Sequence, residues 1–251
     1  MIKYVSSQIF DWDLRAESWS IQKDSWKIPY SYLQHAEELI NAHNNKHYLI
    51  DAISNIKRAI DHRVKEVSQD YKFKKLSSLI DVKGNMEVLK ELELIKPKMV
   101  HDVMTLRNIL EHQFSDPPNQ ARCLEFAEVA WYFLKSTDYI SRQISDGASF
   151  VDIYDENYYF GLDGSPKNDW LKTVSGWLPY DMVADEEKDG FFAVEVIELK
   201  SGADQKKKCL DSNEILYSYY NSFDDLDVYL ECNVIDYSQF VKFVRGYFQA
   251  I

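Results

Sequence analysis

The chain has 251 residues, of which 45% are hydrophobic and 14% aromatic, enough to form a packed core in one large domain or two small ones. No run approaches the roughly 18 apolar residues of a transmembrane helix, and the first residues lack the apolar region of a signal peptide. The three cysteines, Cys123, Cys209 and Cys232, form no CxxC pair, which argues against a structural zinc site. We therefore expect a cytoplasmic protein without membrane contact.

The net charge of −12 is unevenly distributed. From residue 150 onward there are 9 Lys+Arg against 20 Asp+Glu, whereas the preceding part is close to neutral. Acidic protein surface repels a polyanion, so an RNA would be tolerated only by the N-terminal part. Imidazole chemistry belongs to the same part, because it contains all six histidines: His35, His43, His47, His62, His101 and His112.

The N-terminal half is predicted to be mainly helical. Residues 1–29 are expected to form an irregular arm packed on the body through its tryptophans, with base stacking by these rings as the alternative. Apolar residues then recur every three or four positions. This spacing predicts helices over residues 31–43, 46–71, 86–94, 97–112 and 120–143, with a basic, partly apolar link over 72–80. The short connections favour an up-and-down bundle.

The pattern changes after residue 146. Strands are predicted at residues 149–154, 157–162, 170–178, 191–200 and 227–234, and helices at 212–221 and 238–249. The fold class predicted for the whole chain is α+β, with an N-terminal up-and-down helical bundle followed by a small mixed α+β unit. The predicted domains are an arm (1–29), the bundle (30–146) and an acidic α+β domain of unknown family (147–251).

The stretch Leu106-Arg107-Asn108-Ile109-Leu110-Glu111-His112 places a guanidinium, an amide, a carboxylate and an imidazole within six residues. On a helix, Asn108 and His112 are i,i+4 neighbours, and Arg107 and Glu111 form a second such pair beside them. All these groups can handle a phosphate. The same spacing is also that of an exposed Arg107–Glu111 ion pair with a histidine near a helix end.

Together with its flanking sequence, this stretch resembles the signature of the HEPN superfamily. The flanks are Leu92-Glu93-Leu94-Ile95-Lys96-Pro97 before it and the Pro117-Pro118 break, with another helix, after it. The HEPN signature is an Arg, a polar residue directly after it and a His a few residues on, late in a helix. The resemblance covers about residues 30–145, and residues 51–63 look like the early long helix of some HEPN proteins.

The resemblance implies a metal-independent endoribonuclease, of a type often found as a toxin or anti-phage defence effector. Arg107, Asn108 and His112 would be catalytic, and a homodimer would bring two copies of them into one cleft. The product would carry a 2′,3′-cyclic phosphate. A neutral-range imidazole suits proton transfer, and a guanidinium suits a phosphate. Neither a cofactor nor a metal is expected.

The basic face of the second helix is the predicted RNA-binding surface, through Arg58, His62 and Arg63. A solvated charged face is the alternative for these residues. The acidic C-terminal part would act as a sensor or bind a partner, and a protein inhibitor or antitoxin is a further expected partner.

Other interpretations of the chain stay open. The bundle could be a non-catalytic HEPN dimerisation or partner-binding scaffold. Alternatively the C-terminal part could carry the activity, because Glu195, Glu198 and Lys200 resemble the E-x-K ending of restriction-type nucleases. His43 and His47 have the spacing of a metal pair but lack a third ligand.

Overall fold

The computed structural model describes residues 1–16, 19–21, 24–42, 45–96, 98, 105, 116–162, 170, 172–210 and 223–250. These residues form two compact units. The sheet unit comprises Met1–Trp19 and Ser145–Ile251, and the helical unit comprises Ser20–Ile144. The helical unit is thus an insertion in the chain of the sheet unit.

The described elements of the helical unit are mostly α-helices, preceded by a short 3-10 helix at Asp24–Lys27. They are α1 (Ile28–Ala42), α2 (Lys46–Asp70), α3 (Phe73–Leu79), α4 (Asn85–Glu91) and α5 (Gln120–Arg142). Asn45 and Asn119 cap α2 and α5, each accepting a hydrogen bond from a backbone N–H of the first turn. α1, α2 and α5 pack on one another through apolar faces of helical period.

The sheet unit contains an eight-stranded antiparallel sheet. Its strands are β1 (Ile2–Ser6), β2 (Asp13–Ala16), β5 (Ala148–Val151), β6 (Tyr159–Leu162), β7 (Thr173–Leu178), β8 (Val183–Ala184), β9 (Phe191–Ser201) and β10 (Val228–Val234). They lie in the order β2-β5-β6-β7-β10-β9-β1-β8. Two three-residue strands, β3 (Trp19–Ile21) and β4 (Gln143–Ser145), form a separate two-stranded sheet. The 3-10 helices at Ser7–Asp11 and Tyr180–Met182 connect strands.

The predicted order of an N-terminal helical bundle followed by a small α+β unit is wrong. The chain begins with strands: Ile2 is paired with Glu195 at one end of the β1–β9 ladder, and Asp13 with Val151 in the β2–β5 ladder. The helices come afterwards. Strands of five and four residues are too short to show a period-two pattern of their own, and their partners lie more than a hundred residues further on.

Two helices complete the sheet unit: α6 (Gly202–Leu210) and α7 (Tyr237–Ala250). α7 packs on one face of the sheet through aromatic side chains. Phe243 is central to this core, because its ring lies 5.0 Å from Phe10, 5.6 Å from Phe150 and 5.9 Å from Phe160, centroid to centroid. These edge-to-face contacts are those that aromatic quadrupoles favour.

The first turn of α7 is capped by Asp236. Its Oδ1 accepts a hydrogen bond from the Gln239 N–H at 3.0 Å and another from the Ser238 hydroxyl at 2.6 Å. These bonds favour the carboxylate form. The Ser238 hydroxyl contributes most to holding the pKa of Asp236 below its ordinary value.

Replacing Asp236 with Ala is expected to destabilise the protein by about 1 kcal/mol at neutral pH, the usual value of an N-cap. Because the pKa of Asp236 is lowered in the folded protein, the ionised cap stabilises fully above the ordinary Asp pKa, and the effect is lost as pH falls through the folded pKa. Urea midpoints measured at stepwise lower pH should therefore converge for the two proteins. A difference that stays constant with pH would contradict the role of the charge.

Candidate nucleic-acid interface

The predicted catalytic residues Arg107, Asn108 and His112 lie outside the described residues. In the chain they fall between α4 and α5, and both of these helices belong to the helical unit. The prediction that these three residues form a catalytic site therefore stays a prediction. The described helices of this unit precede and follow the three residues in the chain.

Arg58 and His62 lie one turn apart on α2, beside α1. Arg58 is exposed and lines a cleft of about 480 Å³ together with the carboxylate of Asp51 on α2 and with His35 of α1. His62 is half-buried, and its ring centroid is 6.3 Å from that of Tyr32, which is one turn before His35 on α1. Its Nδ1 is shielded from solvent and has no hydrogen-bond partner among the described residues. A guanidinium and an imidazole thus line one cleft, with a second imidazole one turn further along.

Arg63 occupies a different environment from the one predicted for it. Its side chain is 0% exposed and forms an ion pair with Asp138 of α5 at 3.0 Å. It also donates hydrogen bonds to the Trp26 and Leu134 carbonyl oxygens, each at 2.9 Å. A phosphate cannot reach a guanidinium enclosed in this way. The structure therefore corrects the RNA-binding prediction for Arg63: this residue joins α2 to α5 inside the helical unit.

A basic cleft that the sequence reasoning missed lies where α2, α3 and α4 meet. Its volume is about 640 Å³, and the described residues lining it are Ser68, Gln69, Lys72, Lys74, Lys75, Ser78 and Asn85. The side chains of these residues carry ammonium, hydroxyl or amide groups, and none of them carries a carboxylate. In a chain with 41 acidic residues, a wall without carboxylates is suited to an anion.

The sequence does contain a signal for this cleft, the run Lys72-Phe73-Lys74-Lys75. As a sequence this segment predicts only a basic link, because it is too short to establish a helical period. In the structure Phe73 is buried and begins α3, whereas Lys74 and Lys75 are exposed on its first turn. In the sequence, the aromatic Phe73 between lysines is the signal that this link is a helix held in place by one buried side chain.

The difference in net charge is larger between the two structural units than between the two parts of the sequence divided at residue 150. The helical unit, residues 20–144, has 18 Lys+Arg and 17 Asp+Glu, for a net charge of +1. The remaining residues have 11 Lys+Arg and 24 Asp+Glu, for a net charge of −13. A polyanion is therefore repelled by the sheet unit and not by the helical unit.

The alternative nuclease motif lies on β9, where a β-bulge changes which side chains share a face. Glu195 is paired with Asn233 and Glu198 with Glu231, and the register shifts between the two pairs. Because Asn233 and Glu231 are two residues apart on β10, the bulge brings Glu195 and Glu198 to the same face. Lys200 follows on that face and forms an ion pair with Glu198.

Among the residues that the structure describes, this face has no ligand cluster of the kind that a metal-dependent nuclease needs. Anywhere in the described part of the chain, no three His, Cys, Asp or Glu side chains are close enough together to hold a metal ion. Nor is any helix there long and apolar enough to cross a membrane.

Comparisons of the chain with protein-family models, with curated protein sequences and with solved structures each find no match.

Proposed function

We propose that the chain is a metal-independent endoribonuclease of the HEPN type that acts as a homodimer, as a cytoplasmic toxin-like or anti-phage effector. The observation that carries the proposal is the Arg107-Asn108-x3-His112 motif within its helix–proline–helix sequence setting. The motif belongs to the unit of the protein that has no excess of negative charge, which is a second argument for a polyanionic substrate.

The proposed reaction needs only proton transfer and charge stabilisation. The neutral imidazole of one His112 accepts the proton of the RNA 2′-hydroxyl, and the 2′-oxygen attacks the adjacent phosphorus. The bond from phosphorus to the 5′-oxygen breaks, and the imidazolium of His112 of the partner subunit gives its proton to that oxygen. Arg107 neutralises the charge that develops on the phosphate oxygens, and Asn108 orients His112 or donates to a phosphate oxygen.

The described clefts of the helical unit support this substrate class. The cleft between α1 and α2 contains Arg58 and His35 beside one carboxylate, that of Asp51, and the basic cleft contains three lysines and no carboxylate among its described lining residues. The sheet unit, with its charge of −13, suits contact with a basic protein, which is the chemistry we propose for an inhibitor or antitoxin.

The first test is RNA cleavage by the full chain in the presence of EDTA. Replacing His112 with Ala is expected to lower the cleavage rate at least about 100-fold, the contribution of one general acid–base group. The products of the unchanged protein should end in a 2′,3′-cyclic phosphate and a 5′-hydroxyl. His47→Ala is the matched control, since His47 is an exposed histidine at the start of α2.

The outcomes separate the competing functions. Equal cleavage by the unchanged protein and the His112→Ala variant would place the activity elsewhere. Loss of activity on adding EDTA would contradict the metal-free reaction and favour the alternative motif of Glu195, Glu198 and Lys200. No cleavage at any protein concentration, with the protein folded by circular dichroism, would favour a non-catalytic dimerisation or partner-binding protein.

A further inference from the structure

Two lysines of the basic cleft occupy helix positions that disfavour a positive charge. Lys74 and Lys75 lie in the first turn of α3, which has no acidic residue there and no basic residue in its last turn. A positive charge at a helix N-terminus is disfavoured by the helix dipole, by a few tenths of a kcal/mol to about 1 kcal/mol. Stabilisation of α3 therefore does not explain these two residues.

The backbone that brings the third lysine to the cleft is also unfavourable. Lys72 lies between α2 and α3 with φ 46° and ψ 48°, in the left-handed region that non-glycine residues rarely occupy. This conformation turns the chain sharply after Tyr71, so that the end of α2 and the start of α3 line the same cleft. A glycine would adopt it without cost, and the sequence has a lysine instead.

The side chains of Lys74 and Lys75 are free to bind a ligand. Neither Lys74 nor Lys75 forms an ion pair with any residue that the structure describes, and both are exposed. Gln69 and Asn85 add amide donors around them, whereas the hydroxyls of Ser68 and Ser78 donate to the Lys65 and Lys74 carbonyl oxygens. Ammonium and neutral donor groups without a carboxylate are the chemistry that recognises phosphate.

We infer that the basic cleft binds the phosphate backbone of single-stranded RNA at a distance in sequence from the catalytic motif. The inference rests on the proposed function for its choice of RNA as the anion. The described lining has no aromatic side chain on which a base could stack, so binding here depends on charge. It should therefore be insensitive to base sequence and strongly dependent on salt.

The test is binding of a fluorescently labelled single-stranded RNA to the His112→Ala protein, measured by anisotropy over a range of salt concentrations. Each phosphate contact with a single strand contributes about 0.7 to the slope of log K against log salt. The variant Lys74→Gln/Lys75→Gln should lower the slope by about 1.4. If the two proteins converge near 1 M salt, this slope corresponds to about 25-fold weaker binding near 0.1 M salt.

The control variant is Lys27→Gln/Lys46→Gln. It changes the net charge by the same amount in the same unit, but Lys46 begins α2 and so lies at the opposite end of that helix from the cleft. Lys27 and Lys46 are paired with Asp24 and Asp116. The slope of this variant should change by much less than that of the cleft variant. Equal slopes for the two variants would mean that net charge alone is responsible, and would overturn the inference.

The inference about the cleft and the proposed nuclease function would be contradicted by different experimental results. In the protein with His112 intact, the cleft variant should raise KM and leave kcat unchanged, because its contacts are the same in ground and transition states. Cleavage with an unchanged KM and an unchanged salt slope would overturn the cleft inference and leave the proposed function standing. A reduced salt slope in a protein that cleaves no RNA would support the cleft and contradict the nuclease.

Discussion

Replacing Asp138 with Asn is expected to lower the free energy of unfolding of the helical unit by about 3–5 kcal/mol, the cost of removing one partner of a buried ion pair. Arg63 is 0% exposed, and the side chain of Asp138 is 10% exposed. Without this carboxylate, the buried guanidinium is left with a more distant charged partner, the Glu66 carboxylate, 3.8 Å from its Nε. It would keep its hydrogen bonds to the Thr137 hydroxyl at 3.0 Å and to the Leu134 and Trp26 carbonyl oxygens.

The second carboxylate oxygen of Asp138 extends the effect to other elements. Oδ2 accepts a hydrogen bond from the Tyr30 hydroxyl of α1 at 2.9 Å and another from Arg142 at 3.3 Å. The Arg142 guanidinium in turn lies 3.9 Å from the centre of the Trp26 ring. Burial, and then the bond to Asp138, raise the pKa of Tyr30 well above its ordinary value, so the phenol remains a donor. One carboxylate therefore connects α1, α2 and α5.

Urea unfolding followed by far-UV circular dichroism measures this loss. Lys90→Gln is the matched control, because Lys90 forms an exposed i,i+3 pair with Glu87 and its removal should cost no more than about 0.5 kcal/mol. Adding Arg63→Met and Glu66→Gln to Asp138→Asn should recover part of the loss, since Glu66 also pairs with Arg63 and all three buried charges are then removed. An Asp138→Asn protein as stable as the control would contradict the buried-pair argument.

Replacing Gly176 with Ala is expected to disrupt the centre of the sheet and to cost about 3 kcal/mol or more, or to prevent folding. Gly176 lies on β7 opposite Phe160 of β6. A Cβ at Gly176 would lie 1.9 Å from the Tyr159 carbonyl oxygen and 2.9 Å from the Phe160 Cα. These are backbone atoms of a hydrogen-bonded strand, so they cannot move aside without breaking the β6–β7 ladder.

Gly190→Ala separates this clash from backbone strain. Gly190 has a φ of +78°, yet a Cβ there would meet no atom within 4 Å. Its replacement should therefore cost only the left-handed conformation, about 1–2 kcal/mol. The measurement is the yield of folded protein and the urea midpoint of both variants. If Gly176→Ala and Gly190→Ala are equally stable, the close approach of β6 and β7 is not the reason for the glycine.

Several elements could be predicted from the sequence because their signals are local. The helix predicted at residues 46–71 is Lys46–Asp70, and the one at 120–143 is Gln120–Arg142. The strand predicted at 191–200 is Phe191–Ser201, and the closing helix at 238–249 is Tyr237–Ala250. In each, the period of apolar residues extends over enough positions to distinguish helix from strand. The helices predicted at 97–112 and 212–221 lie outside the described residues.

The candidate site could be predicted only in part. The sequence groups Arg58, His62 and Arg63 on one surface because all three are polar residues on one helix. The structure leaves Arg58 exposed, half-buries His62 and encloses Arg63. Whether a charged side chain is buried depends on acceptors supplied by another helix, and Asp138 is 75 residues away in sequence. The lysines of the basic cleft converge because the left-handed Lys72 turns the chain, and no residue pattern announces that conformation.

The sequence by itself determined the net charge and its uneven distribution, the long helices and strands with a clear apolar period, and the motif that carries the proposed function. Only the tertiary structure decided that the chain begins inside the sheet, because β1 and β2 are recognisable as strands only beside β9 and β5. The physical reason is the same throughout. Periodicity and composition are properties of neighbouring residues, whereas strand pairing, burial of a charge and the lining of a cleft are set by residues far apart in the chain.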